Sequence, residues 1–397
     1  MPRISLGDHG GAVAEIRGIL ADQGFLRDYV APTELVVGGW TVPEAVFDRR
    51  LDRATRAFQQ QRGLLVDGVV GPATYRALRE STYQLGARTL SYIASAPPSG
   101  DDVAALQARL QNLGFYAGMI DGLFGPQTHL GLSAYQREFG LVADGICGPA
   151  TLRSLTFLGS RVTGGSPHAI REEEHVRSSG PRLSGKRIVI DPGLGGPDRG
   201  VAVRGPDGRP ITEEEILWDL GSRLEGRMAA AGMETYLSRP RGMDADDSTR
   251  AYTANTFDAD MMIALRTAHY RNDRAHGVAS FHFGNTHGAS SNIGRNLAGF
   301  IQREIVARTP LTDCHYHGRT WDIVRLTRMP TVQIDIGYTT NPHDAAVLAS
   351  PQMRDTIAEA ILVAVKRLYL LGENDRPTGT YTFAELLELE ESADNRA

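Results

Sequence analysis

The sequence predicts a multidomain protein in which two small all-α units precede an α/β domain with a mostly parallel, twisted sheet. The first 158 residues repeat a pattern of apolar residues at helical spacing, and strand and helix patterns alternate after residue 187. A stretch rich in glycine, serine and proline separates the two parts. The length of 397 residues is enough for two or three domains.

The helical part is an internal repeat with copies at residues 1–82 and 97–158 and an insertion near 30–46 in the first copy. Apolar residues three and four apart predict an amphipathic helix early in each copy, and Asp-Gly followed by Gly-Pro predicts a tight loop. Each copy is short, so we predict a compact three-helix unit. The matching residues are Val13, Ile16, Leu20, Gly24 and Phe25 with Val103, Leu106, Leu110, Gly114 and Phe115, then Gln59, Asp67, Gly68, Gly71, Pro72 and Thr74 with Gln136, Asp144, Gly145, Gly148, Pro149 and Thr151.

This repeat resembles the peptidoglycan-binding domain type 1 family, and the match is specific because it occurs twice. The resemblance implies a module that grips glycan or stem peptide. A helical spacer without a ligand is the alternative, and the sequence leaves both open.

Residues 159–186 are predicted to be a linker, because Gly164-Gly165-Ser166-Pro167 and Ser178-Ser179-Gly180-Pro181 favour turns and coil. Residues 187–371 alternate between strand and helix patterns, which predicts a sheet covered by helices. The candidate strands are 187–190, 233–238, 261–265, 279–283 and 331–337, and the candidate helices are 214–231, 292–307 and 353–369.

The first strand and its turn, Arg187-Ile188-Val189-Ile190-Asp191-Pro192-Gly193, resemble the corresponding segment of zinc-dependent N-acetylmuramoyl-L-alanine amidases, and the resemblance spans the whole α/β part. In that family two histidines and a glutamate hold zinc, and a second glutamate is the general base. Three protein ligands leave the fourth position to a water that the metal acidifies. The resemblance implies that these family positions fall on Leu194, Glu213, Arg266 and Asp335.

The side chains at these positions depart from the family's chemistry. Leucine cannot ligate zinc, and the guanidinium of Arg266 is a permanent cation that repels it. Asp335 keeps the charge of the general base on a shorter side chain, and Glu213 alone does not make a zinc site. We therefore expect no intact catalytic residue, no metal and no other cofactor. We also expect Arg266 to pair with Asp335 or Glu213, because its fork suits two carboxylate oxygens.

A rebuilt metal site is the alternative that the remaining histidines leave open. A Cys-His-x-His cluster lacks an obvious fourth ligand and follows no recognised zinc spacing. Surface or half-buried histidines are the simpler interpretation. The residues on which such a site would draw are Cys314, His315, His317, His269, His282 and His287.

Residues 372–397 form a Thr-rich acidic tail, which we predict to be regulatory and not to add to the core of the preceding domain. Thr382 and Glu385 match a capping box before a short apolar helix face, a kind of segment that suits a partner's groove. A phosphate on Thr382 would lie at a helix N-terminus. Thr380 and Thr378 are the other candidate phosphorylation sites, and an acidic terminus without a role is the alternative.

Composition limits the compartment and the partners. The net charge of -5 argues against nucleic acid as a partner. Cys147 and Cys314 lie far apart, which favours a reducing compartment. The N-terminus has no apolar signal core, and no apolar run is long enough to span a bilayer. We therefore expect a cytoplasmic protein that associates with the inner face of the membrane through partners.

The order of these parts resembles a group of actinobacterial regulators built on a degenerate amidase domain. The resemblance implies a cytoplasmic regulator of peptidoglycan precursor synthesis, phosphorylated by a Ser/Thr protein kinase, that stimulates a MurA-type enolpyruvyl transferase. The other implied partners are a forkhead-associated-domain protein, the lipid II flippase and peptidoglycan precursors. An active zinc-dependent amidase that hydrolyses peptidoglycan, or a module that binds muropeptides or precursors, is the alternative.

Overall fold

The computed structural model describes residues 3–26, 35–37, 40–42, 46–157, 167–178, 183–285, 289–371, 379–382, 385, 386 and 388. The chain divides into two compact units, Met1–His168 with Asn285–Ala289 and Ala169–Gly284 with Ser290–Ala397.

The first unit contains three helices in each copy of the repeat, as predicted. The shared aliphatic positions of the first helix in each copy are buried, and Phe25 and Phe115 are half-buried. Gly-Pro starts the last helix of each copy because proline fits the first helical position. A short antiparallel hairpin lies in the predicted insertion. The elements are α1 (Gly11–Asp22), β1 (Leu35–Val37), β2 (Trp40–Val42), α2 (Arg49–Gln61), α3 (Pro72–Ser81), α4 (Asp101–Asn112), α5 (Pro126–Glu138) and α6 (Pro149–Phe157).

A buried glutamine fixes each Asp-Gly loop of the repeat to the preceding helix. The amide nitrogen of Gln136 donates to Asp144 Oδ1 at 2.9 Å, the Ile146 carbonyl at 3.0 Å and Thr151 Oγ1 at 3.0 Å. Its Oε1 accepts from the backbone N–H of Gly145 at 2.8 Å. Gln59 makes the same four contacts with Asp67, Val69, Thr74 and Gly68. The residues that the two copies share therefore serve a common loop geometry.

A third loop of this kind joins α4 to α5, although the pattern shared by the two copies of the repeat did not predict it. Gln107 donates to Asp121 Oδ1 at 2.8 Å, the Leu123 carbonyl at 3.0 Å and Thr128 Oγ1 at 3.1 Å, and it accepts from Gly122 N–H at 2.9 Å. The glutamine and aspartate are 14 residues apart here and 8 apart in the other two loops, so a fixed spacing misses it.

The second unit is built on a six-stranded sheet. Its strands are β3 (Arg187–Pro192), β6 (Glu234–Leu237), β7 (Met261–Ala268), β8 (Val278–Phe283), β9 (Asp313–Arg319) and β10 (Thr331–Tyr338), and a separate hairpin pairs β4 (Ala202–Arg204) with β5 (Pro210–Thr212). The strand order is β6-β3-β7-β10-β8-β9. Only the pair β10–β8 is antiparallel, which confirms the predicted, mostly parallel sheet.

Helices cover this sheet, and the three that the sequence predicted, α8, α10 and α13, supply most of the helical core. The helices of the unit are α7 (Pro167–Ser178), α8 (Glu213–Ala230), α9 (Asp247–Phe257), α10 (Asn292–Arg308), α11 (Asp322–Arg325), α12 (Pro342–Ala349) and α13 (Pro351–Leu370). Helix α13 packs against α8 and α10, and their apolar faces form one cluster with β3, β7 and β10. Within the described residues, no helix combines the length and apolar content needed to cross a bilayer.

Part of the predicted linker is a helix, α7, which is held against the second unit. Glu172 is only 6% exposed, and its carboxylate accepts from Ser291 Oγ at 2.7 Å and from the Ile293 N–H at 3.3 Å. The carboxylate thus caps the N-terminus of α10. The predicted turn formers on either side lie mainly at 158–166 and 179–182, outside the described residues.

The tail also differs from our expectation, because two of its residues add a small apolar cluster to the second unit. Tyr381 and Leu386 are buried against Val363 and Leu371 at the end of α13. The sequence predicted a short helix with an apolar face. It did not predict that apolar side chains at the end of α13 would be available for residues of the tail to cover.

We predict that Gln107→Ala lowers the free energy of unfolding by about 3 kcal/mol, because several buried polar groups of the loop lose their partner. Gln111→Ala removes the same side chain from the same helix, where Gln111 makes a single 3.3 Å bond to the Gly118 carbonyl, and should cost less than about 1 kcal/mol. Urea denaturation of the full chain measures both. Equal costs would contradict a structural role for the glutamine.

Candidate functional site

The four residues to which the resemblance assigned the zinc ligands and the general base come together at the carboxyl ends of β3, β7 and β10. Arg266 and Asp335 are register partners on the adjacent strands β7 and β10. Leu194 follows β3, and Glu213 is the first residue of α8. The fold therefore assembles these side chains from four separate segments.

Two glycines show how closely these segments approach. A Cβ atom on Gly193 would lie 2.7 Å from Arg266 Cδ, and one on Gly200 would lie 2.8 Å from both Leu194 Cδ1 and Glu213 Cβ. Neither position has room for a side chain. Leu194 itself has a φ of 59°, a left-handed conformation that a leucine rarely adopts.

Arg266 pairs with neither Asp335 nor Glu213, so our prediction of its partner is wrong. Its Nη2 lies 2.7 Å from Asp191 Oδ2 and 3.1 Å from Asp247 Oδ1. Its Nη1 donates to the Leu265 carbonyl at 3.0 Å. The side chain extends from β7 towards β3, where Asp191 is buried, and away from β10, where Asp335 lies. Sequence spacing could not show which neighbouring strand carried the stronger partner.

Asp191 is the centre of this ionic cluster, although no role was predicted for it. It is fully buried, and its Oδ1 accepts from Arg250 Nη1 at 2.5 Å and from the Ser238 hydroxyl. Burial alone would raise the pKa of Asp191, but Arg266, Arg250 and the Ser238 hydrogen bond together lower it below its ordinary value. Arg250 was missed because it lies on α9, which the apolar pattern did not predict.

Glu213 is held by the backbone rather than by a cation. Its Oε2 accepts from the N–H of Val201 at 2.9 Å, and its side chain is 5% exposed. Its Oε1 has no hydrogen-bond partner among the residues that the structure describes. Thr212 and Glu215 form a capping box, which fixes the start of α8 and therefore the position of Glu213.

Asp335 is half-buried and hydrogen-bonded to its own strand. Gln333 Nε2 donates to its Oδ1 at 2.9 Å. Burial raises the pKa of Asp335 to about 6, although the Gln333 hydrogen bond and the positive charges of Arg266 and Arg319 act in the opposite direction. This carboxyl group is therefore partly protonated near neutral pH.

These side chains do not fit a zinc ion. Leu194 offers no donor atom. Arg266, at a position that the resemblance assigned to a zinc ligand, is a cation already paired with Asp191. Across the described parts of the chain, no group of three or more His, Cys, Asp or Glu side chains is arranged to hold a metal.

The other candidate histidines do not gather into a site, and His269 is exposed. His317 Nε2 lies 2.7 Å from the Cys314 carbonyl, and His282 Nδ1 lies 2.9 Å from the Phe283 carbonyl. The Cys314 thiol donates to a backbone carbonyl at 3.3 Å, and the exposed His315 lies 3.4 Å from Asp313. Both cysteines of the chain are free thiols. His287 lies outside the described residues.

Two family models match the chain. The N-acetylmuramoyl-L-alanine amidase family covers residues 188–367, and the putative peptidoglycan binding domain covers residues 9–78 and 99–155. Together with the fold and the site, these matches define a protein with peptidoglycan-binding repeats and an amidase-type α/β domain.

The chain belongs to the N-acetylmuramoyl-L-alanine amidase family. It is 66% identical over 388 residues to N-acetylmuramoyl-L-alanine amidase CwlM of Mycobacterium tuberculosis, which covers 98% of this chain and 95% of that protein. It is 23% identical to the germination-specific N-acetylmuramoyl-L-alanine amidase of Bacillus subtilis, over 49% of this chain and 84% of that one. A solved N-acetylmuramoyl-L-alanine amidase from Clostridium difficile 630 is 21% identical, covers 47% of this chain and 97% of its own, and has a TM-score of 0.42.

We predict that Arg266→Ala lowers the free energy of unfolding by about 3 kcal/mol at pH 7, because Asp191 is left with one guanidinium fewer. The pKa of Asp191 is lowered in the folded state, so the pair stabilises above the unfolded pKa of about 4, and this contribution is lost as the pH falls through the folded value. The difference in the free energy of unfolding between the variant and the parent should therefore become smaller at acidic pH. Arg271→Ala, at an exposed position after β7, is the control, and an equal effect of the two would contradict the pairing.

We predict that Asp335→Asn stabilises the chain at pH 7 by about 2 kcal/mol and has little effect at pH 4. The folded pKa of about 6 lies above the unfolded one, so stability is lost as the pH rises between the two values. Asparagine keeps the acceptor for Gln333 and removes this cost. Chemical denaturation at both pH values measures the free energy of unfolding of the variant and the parent. A variant less stable than the parent at pH 7 would show that the ionised carboxylate stabilises the fold.

Proposed function

We propose that this protein is a catalytically inactive amidase homologue that acts in the cytoplasm as a phosphorylation-dependent regulator of peptidoglycan precursor synthesis. In this proposal it stimulates a MurA-type enolpyruvyl transferase. The observation that carries the loss of activity is the guanidinium of Arg266, paired with Asp191 at a family zinc-ligand position. Leu194 supports it, since hydrolysis by the family requires zinc with three protein ligands and an open fourth position.

The regulatory part of the proposal is supported by the tail. Thr382 is exposed, so its hydroxyl is accessible to a Ser/Thr protein kinase, whereas Thr380 is half-buried. Thr378 lies outside the described residues. A forkhead-associated-domain protein suits a phosphothreonine ligand, because such domains read phosphate through arginine clusters. The kinase, this reader and the lipid II flippase would bring the protein to the inner face of the membrane.

Two other functions have specific support. The relative that is 66% identical carries the name of an amidase, which favours an active zinc-dependent hydrolase. The two matched repeats favour a module that binds muropeptides or precursors. A binding module predicts muropeptide affinity without any effect on a transferase, so the experiments below separate the three functions.

Zinc content and hydrolysis test the loss of catalysis. We expect the purified chain, after incubation with excess zinc and buffer exchange, to retain no stoichiometric metal and to release no muropeptides from isolated sacculi. Metal analysis and chromatography of the soluble products measure the two quantities. One zinc per chain together with release of muropeptides would establish a hydrolase and contradict the proposal.

Transferase activation tests the regulatory role. We expect the chain phosphorylated at Thr382 to raise the rate at which a purified MurA-type enzyme converts UDP-N-acetylglucosamine, because in this proposal only the phosphorylated tail stimulates the transferase. Thr382→Ala, treated with the same kinase, should have no effect, and Thr380→Ala should behave like the parent chain. An unchanged rate with the phosphorylated parent would reject the role.

A further inference from the structure

Helices α10 and α13 form a surface that part of the C-terminal segment already occupies. We call residues 379–382 with Glu385 and Leu386 the strap. Tyr381 is 5% exposed and Leu386 has no exposed surface, and both pack against Val363 and Leu371. Burial of this extent distinguishes the strap from an unattached chain terminus.

Two arginines bind the backbone of the strap. Arg367, which is fully buried, donates from Nη1 to the Gly379 carbonyl at 3.1 Å, and Arg308 Nη2 donates to the Tyr381 carbonyl at 2.5 Å. Both guanidinium groups pair with the buried carboxylate of Glu304. The guanidinium carbon of Arg367 also lies 5.1 Å from the centre of the Tyr381 ring. The strap thus satisfies groups that α10 and α13 present on this surface.

The Thr382 hydroxyl links the two parts of the strap through Glu385. The backbone N–H and the hydroxyl of Thr382 donate to Glu385 Oε2 at 2.7 and 2.9 Å, and the Glu385 N–H donates to Thr382 Oγ1 at 3.2 Å. The Leu386 N–H donates to the Thr382 carbonyl at 3.3 Å. One exposed hydroxyl therefore holds together the two buried anchors on either side of it.

We propose that the α10–α13 surface is a reversible dock for the strap and that a phosphate on Thr382 releases it. This proposal rests on the phosphorylation in the proposed function. A kinase transfers the γ-phosphoryl group of ATP to Thr382 Oγ1. The bond to ADP breaks, and the hydroxyl loses its proton. The modified oxygen can no longer donate to Glu385, and a phosphate with a charge of about -2 then lies beside that carboxylate.

The opposing attractions on this phosphate are weaker than the repulsion. Anions are favoured at helix N-termini, but this attraction is small and is screened by salt at an exposed position such as Thr382. Arg308 already pairs with Glu304 and binds the Tyr381 carbonyl. The loss of the capping box and the contact between like charges therefore favour release of the strap. Tyr381 and Leu386 leave the α10–α13 surface together.

Release has two consequences for recognition. The tail becomes an accessible segment that carries phosphothreonine, an aromatic residue and a leucine, the features that a phosphopeptide-binding partner reads. At the same time, Val363, Leu371 and the Glu304 network lose their cover. A modification on the surface thereby changes the exposure of groups that are buried in the unmodified protein.

Hydrogen exchange of the full chain tests this proposal. Phosphothreonine is installed at position 382 by ligation of a synthetic C-terminal peptide, and a ligated, unmodified chain is the reference. We expect amides of residues 379–388 to exchange about tenfold faster or more in the phosphorylated chain, because local opening sets this rate. Helix α8 should be unchanged. Equal or slower exchange of residues 379–388 would overturn the proposal.

Two variants distinguish repulsion from other effects. Tyr381→Ala removes an anchor, so the unmodified variant should exchange as fast as the phosphorylated parent. Glu385→Gln removes the like charge, so phosphate should accelerate exchange about threefold less in this background than in the parent, since pairs of like charges contribute modestly. An identical acceleration in both backgrounds would contradict the mechanism. The phosphate is installed chemically, so these results stand whether or not the transferase responds, and a failed activation assay would leave them intact.

Discussion

A buried carboxylate between two guanidinium groups organises the functional end of the α/β unit. Asp191 is the penultimate residue of β3 and is fully buried, so it needs compensating charge from its neighbours. Arg250 supplies this charge from α9, and Arg266 supplies it from β7. The turn after β3, the position of α9 and the end of β7 are tied together through this one group. This end of the sheet is therefore held together by ionic pairs between its own side chains.

The fold could be read from the sequence where burial follows a regular period. The helices α8, α10 and α13 have apolar faces, and the central strands are apolar runs, so their patterns were sufficient. Strand β9 was missed because it lies at the sheet edge and its residues are mostly polar. Helix α9 was missed because its buried face includes Arg250 and two alanines rather than large apolar residues. In both elements, tertiary neighbours decide the structure and local pattern does not.

The candidate site, like the fold, was predicted only in part from the sequence. The resemblance assigned Leu194, Glu213, Arg266 and Asp335 to one site, and the strand register makes Arg266 and Asp335 neighbours. Leu194 follows β3 and Glu213 begins α8, so the register does not position these two residues. It could not give the partner of Arg266, because this depends on which carboxylate is buried beside it. The tail illustrates the converse case. Its capping box was visible in the sequence, but the docking of Tyr381 and Leu386 depends on α13, which precedes it in the chain.

The pairing of Arg266 with Asp191 also limits how a zinc site could be engineered at this end of the sheet. Histidine in place of Arg266 would remove one of the two cations from Asp191, and Leu194 would still supply no ligand. Histidine in place of Leu194 would leave the guanidinium of Arg266 beside Asp191. Neither substitution alone therefore produces three protein ligands, and a design must change both positions and replace the lost positive charge at the same time.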